Sequence, residues 1–261
     1  MRYSRGRHQQ ITLPIYLIRY YNQKQSRILF FDLKDIIIEM EKITFVILTW
    51  NSENVISACL ESIAKMDAPE FEIVLVDNGS SDSTRSKIDL FKSSHPDLTV
   101  KTLYLEKNYG TTVSRNLGIR EASSDSAYIC ILDSDTVINK EAVLELTDVL
   151  KEDTANAVAG PSMVNLSGEH QVTAKKIPTA MLKFCKAFPV GFIQKIGENK
   201  EKYDFSDGKR SYPVGYLISA CWMIKKDLMD RIGLLDEKIF YSPEDVEYCV
   251  RVWMNGYRVV Y

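Results

Sequence analysis

The segment ITFVILTWN (43–51) decides how the rest of the chain is read: a short β-branched apolar run that stops abruptly on Thr49, Trp50 and Asn51. The same design recurs in FEIVLVDNGSSD (71–82) and in AYICILDSDT (127–136). Apolar runs without polar alternation fit strands buried on both faces, the kind found in parallel sheets. Between them the period changes. Residues 54–66 carry Val55, Ile56, Cys59, Leu60 and Ile63 at helical spacing,. Further helices are predicted over Thr84–Lys92, Val113–Ala122 and Glu141–Leu150, with strands over Thr99–Leu105 and Ala155–Gly160. Strands alternating with helices of this length predict an α/β fold with a Rossmann-like, mostly parallel sheet flanked by helices. In such sheets ligands bind at the carboxyl ends of the strands.

After Gly160 the rhythm weakens. Residues 161–210 mix Pro, Gly and Lys with apolar stretches such as Met181–Val190 and are read as a variable, substrate-facing part. Regular elements return with a strand over Tyr216–Ile224, helices around Asp227–Ile232 and over Pro243–Asn255, and a last strand from Tyr257 to Tyr261. An apolar strand at the very end suggests a piece of a longer chain. Residues 1–39 carry seven Arg and Lys against three acids and show no clear period. Met40 stands just before the first strong strand, so a true start there is preferred over a native basic arm. The domain division expected is a 1–39 extension, then 40–261, with a nucleotide-binding half to 136 and an acceptor-side half from 137.

Composition narrows the function. Across 261 residues, 33 basic side chains balance 35 acidic ones, which leaves no electrostatic footprint for nucleic acid,. Five Cys, none in a CxxC pair, fit a reducing cytosol rather than a disulfide scaffold or zinc ribbon,. Three His make a His-based metal site a poor candidate. No GxGxxG follows the first strand, no GxxxxGK[ST] occurs, and no GxSxG elbow is present,. No uncharged apolar run is long enough to span a membrane,.

What remains is the chemistry at the strand ends. A parallel sheet brings Thr49-Trp50-Asn51, the Asp77–Asp82 run and Asp133-Ser134-Asp135 to one rim. Each has a plain structural reading: Asp-Asn-Gly-Ser-Ser-Asp is turn and N-cap chemistry, and Asp-x-Asp is common. Position adds to this, because two carboxylates at a strand mouth repel unless a cation or donors relieve them. Hard oxygen ligands at that spacing suit magnesium or manganese, whose remaining ligands are water and phosphate. Arg115 falls in the first turns of a helix entering from the same rim, after a loop containing Asn108 and Gly110, and suits an anion,. In Phe240-Tyr241-Ser242-Pro243-Glu244-Asp245, Ser242 reads as an N-cap, Pro243 as the first helical residue, and the acids as dipole partners,. A carboxylate held at such a helix start also suits a proton acceptor.

Taken in order, ITFVILTWNS, IVLVDNGSSD, KNYGTTVSRNLG, ICILDSDT and GLLDEKIFYSPEDVEYCVRVWMNGYRVVY resemble the family 2 inverting glycosyltransferases over residues 41–261, and the Thr-Trp-Asn start is most similar to rhamnosyltransferase-type bacterial members. The resemblance implies the GT-A nucleotide-diphospho-sugar transferase fold. It implies that Thr49, Trp50, Asn51, Asp77, Asn108, Gly110, Arg115, Asp133 and Ser134 surround the nucleotide sugar, with Asp77 on the base and Arg115 near the nucleotide or its diphosphate. Asp133 and Asp135 match the DxD motif, Asp135 as metal ligand and Asp133 nearer the ribose. Glu244 and Asp245 match the ED motif, with Asp245 as catalytic base. The implied cofactor is manganese or magnesium, the donor a UDP-, dTDP- or GDP-sugar, and the acceptor a saccharide or lipid-linked saccharide in polysaccharide or cell-wall synthesis. The expected location is the cytoplasm, with peripheral membrane association open. Two alternatives stand beside this: a non-catalytic nucleotide-sugar-binding module, and a sugar nucleotidyltransferase, whose Gly-rich basic first loop is missing from Thr49–Asn54.

Overall fold

The structure, a computed structural model, describes residues 41–66, 70–178 and 203–261, all within the unit Met40–Tyr261. The expected 1–39 extension and the apolar stretch Met181–Val190 lie outside the described residues.

The first half follows the predicted alternation closely: β1 (Ile43–Thr49), α1 (Ile56–Ala64), β2 (Phe71–Asp77), α2 (Thr84–Ser94), β3 (Val100–Tyr104), α3 (Thr111–Arg120), β4 (Tyr128–Asp133), α4 (Lys140–Glu152) and β5 (Asn156–Ala159). Two-residue strands follow, β6 (Met163–Val164), β7 (His170–Gln171), β8 (Ala174–Lys175) and β9 (Tyr216–Leu217). The chain then forms β10 (Cys221–Lys225), α5 (Lys226–Ile232), α6 (Glu244–Met254) and β11 (Arg258–Val260). The main sheet runs β11-β5-β10-β4-β1-β2-β3. All its pairings are parallel except those of β10, which is antiparallel to β4 and β5.

Period-2 geometry explains why β1 has no polar face. Ile43, Phe45 and Ile47 point into one apolar layer with α1, α2 and α4, whereas Val46 points into a second with α3, α5 and α6,. The result is a sheet covered by helices on both sides. Gly118 lets α3 lie close on the sheet. A Cβ there would come within 2.7 Å of Val46 Cγ1 and 2.9 Å of Val76 Cγ2.

Two expectations are corrected. Tyr216–Ile224 is not one strand. It breaks at Ser219-Ala220, β9 pairing with β8 in a separate ribbon while β10 enters the main sheet. The break has a local cause: the Ala220 carbonyl accepts the Asp133 N–H at 2.9 Å, and Ser219 turns toward Arg115. At α6, Ser242 is not the N-cap. Its φ of 40° is left-handed rather than extended, Pro243 takes the cap position, and the helix begins at Glu244,.

Candidate active site

Register places the acids. Thr49, the last residue of β1, pairs with Asp77 of β2, and Leu48 pairs with Asp133 of β4. The acidic residues read 56 positions apart in sequence therefore flank the end of one strand.

The turns after β1 and β2 are laced together. The Asn51 and Ser52 N–H groups donate to Ser80 Oγ (2.8 Å) and Thr84 Oγ1 (2.7 Å), while Ser81 N donates to Asn51 Oδ1 (2.9 Å). Asp82 does the turn and cap work read for the Asp77–Asp82 run, accepting from Thr84 N, Thr84 Oγ1 and Glu53 N. Thr49 is buried, whereas Trp50 stands 55% exposed at the rim. Ser52 Oγ lies 2.9 Å from Ser134 Oγ, joining these turns to the end of β4.

Asp77 is fully buried. Its Oδ1 accepts from Thr49 Oγ1 at 3.2 Å, and its Oδ2 from Ser80 N at 3.2 Å and Arg85 Nε at 2.6 Å. Arg85, on α2, also donates to the Leu105 carbonyl and lies over the Tyr104 ring. This arginine escaped the sequence reading. Its one signal is a basic residue at the start of the helix that follows an acid-tipped strand.

The Asn108–Gly110 turn is organised by Asn78, whose Oδ1 accepts from Tyr109 N and Ser114 Oγ, both at 2.8 Å. Its Nδ2 donates to Asn108 Oδ1 at 2.9 Å, and Asn108 Oδ1 accepts the Gly110 N–H at 2.9 Å. Gly110 has φ +90°, and a Cβ there would meet the Phe240 carbonyl at 2.5 Å. Only glycine allows the loop before α6 to approach so closely.

Arg115 is the centre of the site. Its side chain is 5% exposed, and its Nη2 donates to Asp133 Oδ1 at 2.7 Å. Its Nη1 donates to Ser219 Oγ at 2.9 Å and to Glu244 Oε1 at 3.4 Å. One guanidinium thus links the DxD end of β4 to the start of α6. Thr111 Oγ1 lies 3.3 Å from the same Glu244 oxygen. Ser219 and Thr111 were not read from the sequence, because nothing in a lone Ser or Thr marks it as the partner of a distant arginine or acid.

The carboxyls differ in environment. Burial raises the Asp133 carboxyl above the usual range. Arg115 opposes that shift, while Asp135 and Glu244 reinforce it. Burial likewise raises Asp245; the Val246 N–H opposes it, Glu244 adds to it, and Lys175 opposes it. Asp135 is exposed at the rim. Among the described residues no three acids, His or Cys converge as a ready-made metal cage. A DxD pair with one exposed carboxylate still fits magnesium or manganese, which bind through one or two carboxylates and fill up with water and phosphate oxygens.

Residues 44–233 match the profile of glycosyl transferase family 2. The chain belongs to that family. Poly-beta-1,6-N-acetyl-D-glucosamine synthase of Staphylococcus epidermidis is 34% identical over 123 residues, covering 47% of this chain and 29% of that one. The chain therefore spans less than a third of that curated relative. Among solved structures, S. aureus TarS 1–349 aligns with a TM-score of 0.56 at 23% identity, over 84% of this chain and 57% of TarS. The mannosyltransferase PcManGT from Pyrobaculum calidifontis, in complex with GDP-Man and Mn2+, aligns with a TM-score of 0.57 at 20% identity, over 83% and 53%. The fold is accordingly GT-A, as the resemblance implied, and the family 2 assignment holds, whereas these relatives do not single out the rhamnosyltransferase subgroup. Among the described residues no helix is long and apolar enough to cross a membrane.

Proposed function

We propose that this chain transfers a sugar, with inversion, from a nucleotide-diphospho-sugar to a hydroxyl of a glycan or glycolipid acceptor. The observation that carries this reading is the bridge through Arg115, which ties the strand end bearing Asp133 to the helix start bearing Glu244 and Asp245. Donor-side and acceptor-side chemistry need to be held at a fixed separation, and a buried guanidinium between two carboxylates provides that.

On this reading Thr49, Trp50, Asn51 and Ser134 border the nucleotide, with Asn108 and Gly110 shaping the facing loop. Asp77 acts at the base edge together with Arg85, which holds one of its oxygens. A manganese or magnesium ion held by Asp135 and Asp133 would neutralise charge on the departing diphosphate. Arg115 acts through Asp133, keeping its carboxylate turned toward the rim. The acceptor O–H attacks the anomeric carbon from the face opposite the diphosphate, the C–O bond to phosphate breaks, and the proton passes to Asp245. A carboxyl raised by burial is a stronger proton acceptor, which suits that role,. Glu244 is a positioning residue, fixed between Thr111 and Arg115.

The curated relative's name, an N-acetylglucosamine polymer synthase, together with the UDP-GlcNAc complex of TarS 1–349, makes UDP-N-acetylhexosamine the first donor to test, ahead of dTDP- and GDP-sugars. The test is a thermal-shift panel of nucleoside diphosphates with and without manganese, followed by sugar-transfer and diphosphate-release assays. A ligand at 100 times its dissociation constant should stabilise the fold by about 2.7 kcal/mol. Asp245→Asn should keep that shift and lose transfer by about 10²–10⁴-fold. Unchanged transfer in the variant removes Asp245 from the mechanism. A metal-dependent shift without transfer in the wild-type protein favours a binding module.

A further inference from the structure

Three aromatic rings stand in solvent around the start of α3 and the approach to α6: Tyr109 (39% exposed), Phe240 (60%) and Tyr241 (71%). Single exposed aromatics are ordinary. Phe240 is tied to the Tyr109–Gly110 turn, and Tyr241 follows Phe240 directly in sequence. The backbone carrying Phe240 is clamped: its carbonyl accepts the Thr111 N–H at 2.8 Å, and the Ile239 carbonyl accepts Thr112 Oγ1 at 2.5 Å. Phe240 Cδ2 lies 2.8 Å from where a Cβ on Gly110 would sit, so this ring packs beside the residue that follows Tyr109. Lys107 Nζ stands 5.2 Å from the centroid of the Tyr109 ring.

The anchor that holds this segment also holds the first acid of the pair, Glu244. Thr111 Oγ1 lies 3.2 Å from the Phe240 carbonyl and 3.3 Å from Glu244 Oε1. Only Ser242 and Pro243 separate Tyr241 from Glu244 and Asp245. Exposed rings on a clamped segment that leads into two acids suit a ligand with an apolar face and a hydroxylated edge. A pyranose is such a ligand: its C–H face lies on an aromatic ring while a ring-edge hydroxyl reaches an acid. The opposite assignment, a nucleotide base, is given by the proposed function to the β1 and β2 turns, where Trp50 stands exposed.

We propose that Tyr109, Phe240 and Tyr241 form an aromatic platform that seats the acceptor sugar ring beside Asp245. The assignment rests on the reading of Asp245 as the base and adds to it the residues that select the acceptor. The acceptor class is a neutral saccharide whose rings present a flat C–H face, with equatorial hydroxyls at the edge.

The test is a titration of the full chain with β-1,6- and β-1,4-linked N-acetylglucosamine tetrasaccharides and a β-linked glucose tetrasaccharide, read by saturation-transfer NMR. It is carried out with and without UDP and manganese, so it decides the platform whether or not the donor reading stands. Wild-type protein should transfer saturation to sugar ring protons. Phe240→Ala and Tyr241→Ala should each weaken binding about three- to tenfold, the range of one aromatic contact, and the pair should abolish it. Tyr241→Phe should retain it, and the UDP–manganese thermal shift should be unaffected in every variant. Undiminished saccharide binding in the double variant overturns the platform. So does an absence of binding to all three sugars by the wild-type protein. Concentration-dependent self-association removed by the same substitutions, without sugar binding, would assign the rings to a second copy of the chain and equally overturn it.

Discussion

Replacing Arg115 with Met tests the bridge at the centre of the site. The guanidinium is 5% exposed and serves two carboxylates, Glu244 at 7% exposure and Asp133 at 38%. Removing one member of a buried ion pair costs about 3–5 kcal/mol, because the partner is left charged and unpaired. Asp133 is open enough for water to replace much of its share, so the lower end applies and about 3 kcal/mol is expected. For a chain of this size that is a fall in melting temperature of about 6–12 °C. The loss should be specific to charge. Glu244→Gln placed on the Arg115→Met background should restore about 1–2 kcal/mol, since the stranded carboxylate is then neutral. Urea unfolding of wild type, both single variants and the double variant at pH 7 closes the cycle. A coupling below about 0.5 kcal/mol, or an Arg115→Met protein as stable as wild type, would mean that the guanidinium is a passive filler and that the bridge does not tie the two halves of the site together.

Other substitutions probe separate links. Gly110→Ala puts a side chain at φ +90° and against the Phe240 carbonyl; about 1–3 kcal/mol of stability should be lost, and sugar transfer should fall while the UDP–manganese shift persists. Equal activity of this variant and wild type would show that the contact between the loops is incidental. Glu72 lies at the opposite end of the strands, fully buried. Burial pushes its carboxyl up, but hydrogen bonds from Ser123 N and Oγ, Thr44 and Lys101 outweigh that and bring it down from 4.5 to about 2. A depressed carboxyl stabilises the fold fully above its unfolded value and loses that contribution as pH falls from about 4.5 toward 2. Glu72→Gln should therefore cost about 2–3 kcal/mol at pH 7 and flatten the stability profile over that interval, with kcat per folded molecule unchanged. An unaltered acid-unfolding profile would argue against the network.

The central strands were legible because burial on both faces leaves no polar alternation: ITFVIL, with Thr44 alone among apolar residues, and AYICIL do not read as half-exposed strands. The rim followed from them, since parallel strands deliver their last residues to one edge. What escaped had a physical reason in each case. β6 to β9 are two residues long, too short for any period to show. The break at Ser219-Ala220 is imposed by Arg115 and Asp133, contacts more than eighty residues distant in sequence. Ser242 has N-cap chemistry, yet the neighbouring loop is fixed to Thr111 and Thr112 and forces its backbone into the left-handed region. In the last two instances tertiary contacts overrode a local preference.

Those contacts also account for the unequal fates of two adjacent acids. Glu244 and Asp245 are identical in charge and both lie in the first turn of α6, where the helix dipole favours an anion,. A helical step of about 100° aims them differently. Glu244 is buried toward α3 and meets Arg115 and Thr111; Asp245 accepts a hydrogen bond only from Val246 N, at 2.8 Å, among the described residues. Arg115 is already shared between Glu244 and Asp133, and burial together with the Glu244 charge lifts the Asp245 carboxyl against the Val246 N–H and Lys175. If the arginine instead reached Asp245, the acid would be held ionised and weakly basic, a poor acceptor for a hydroxyl proton. On the proposed reading the bridge does two things with one cation: it ties Asp133 to Glu244, and by serving the first acid it leaves the second free to take a proton.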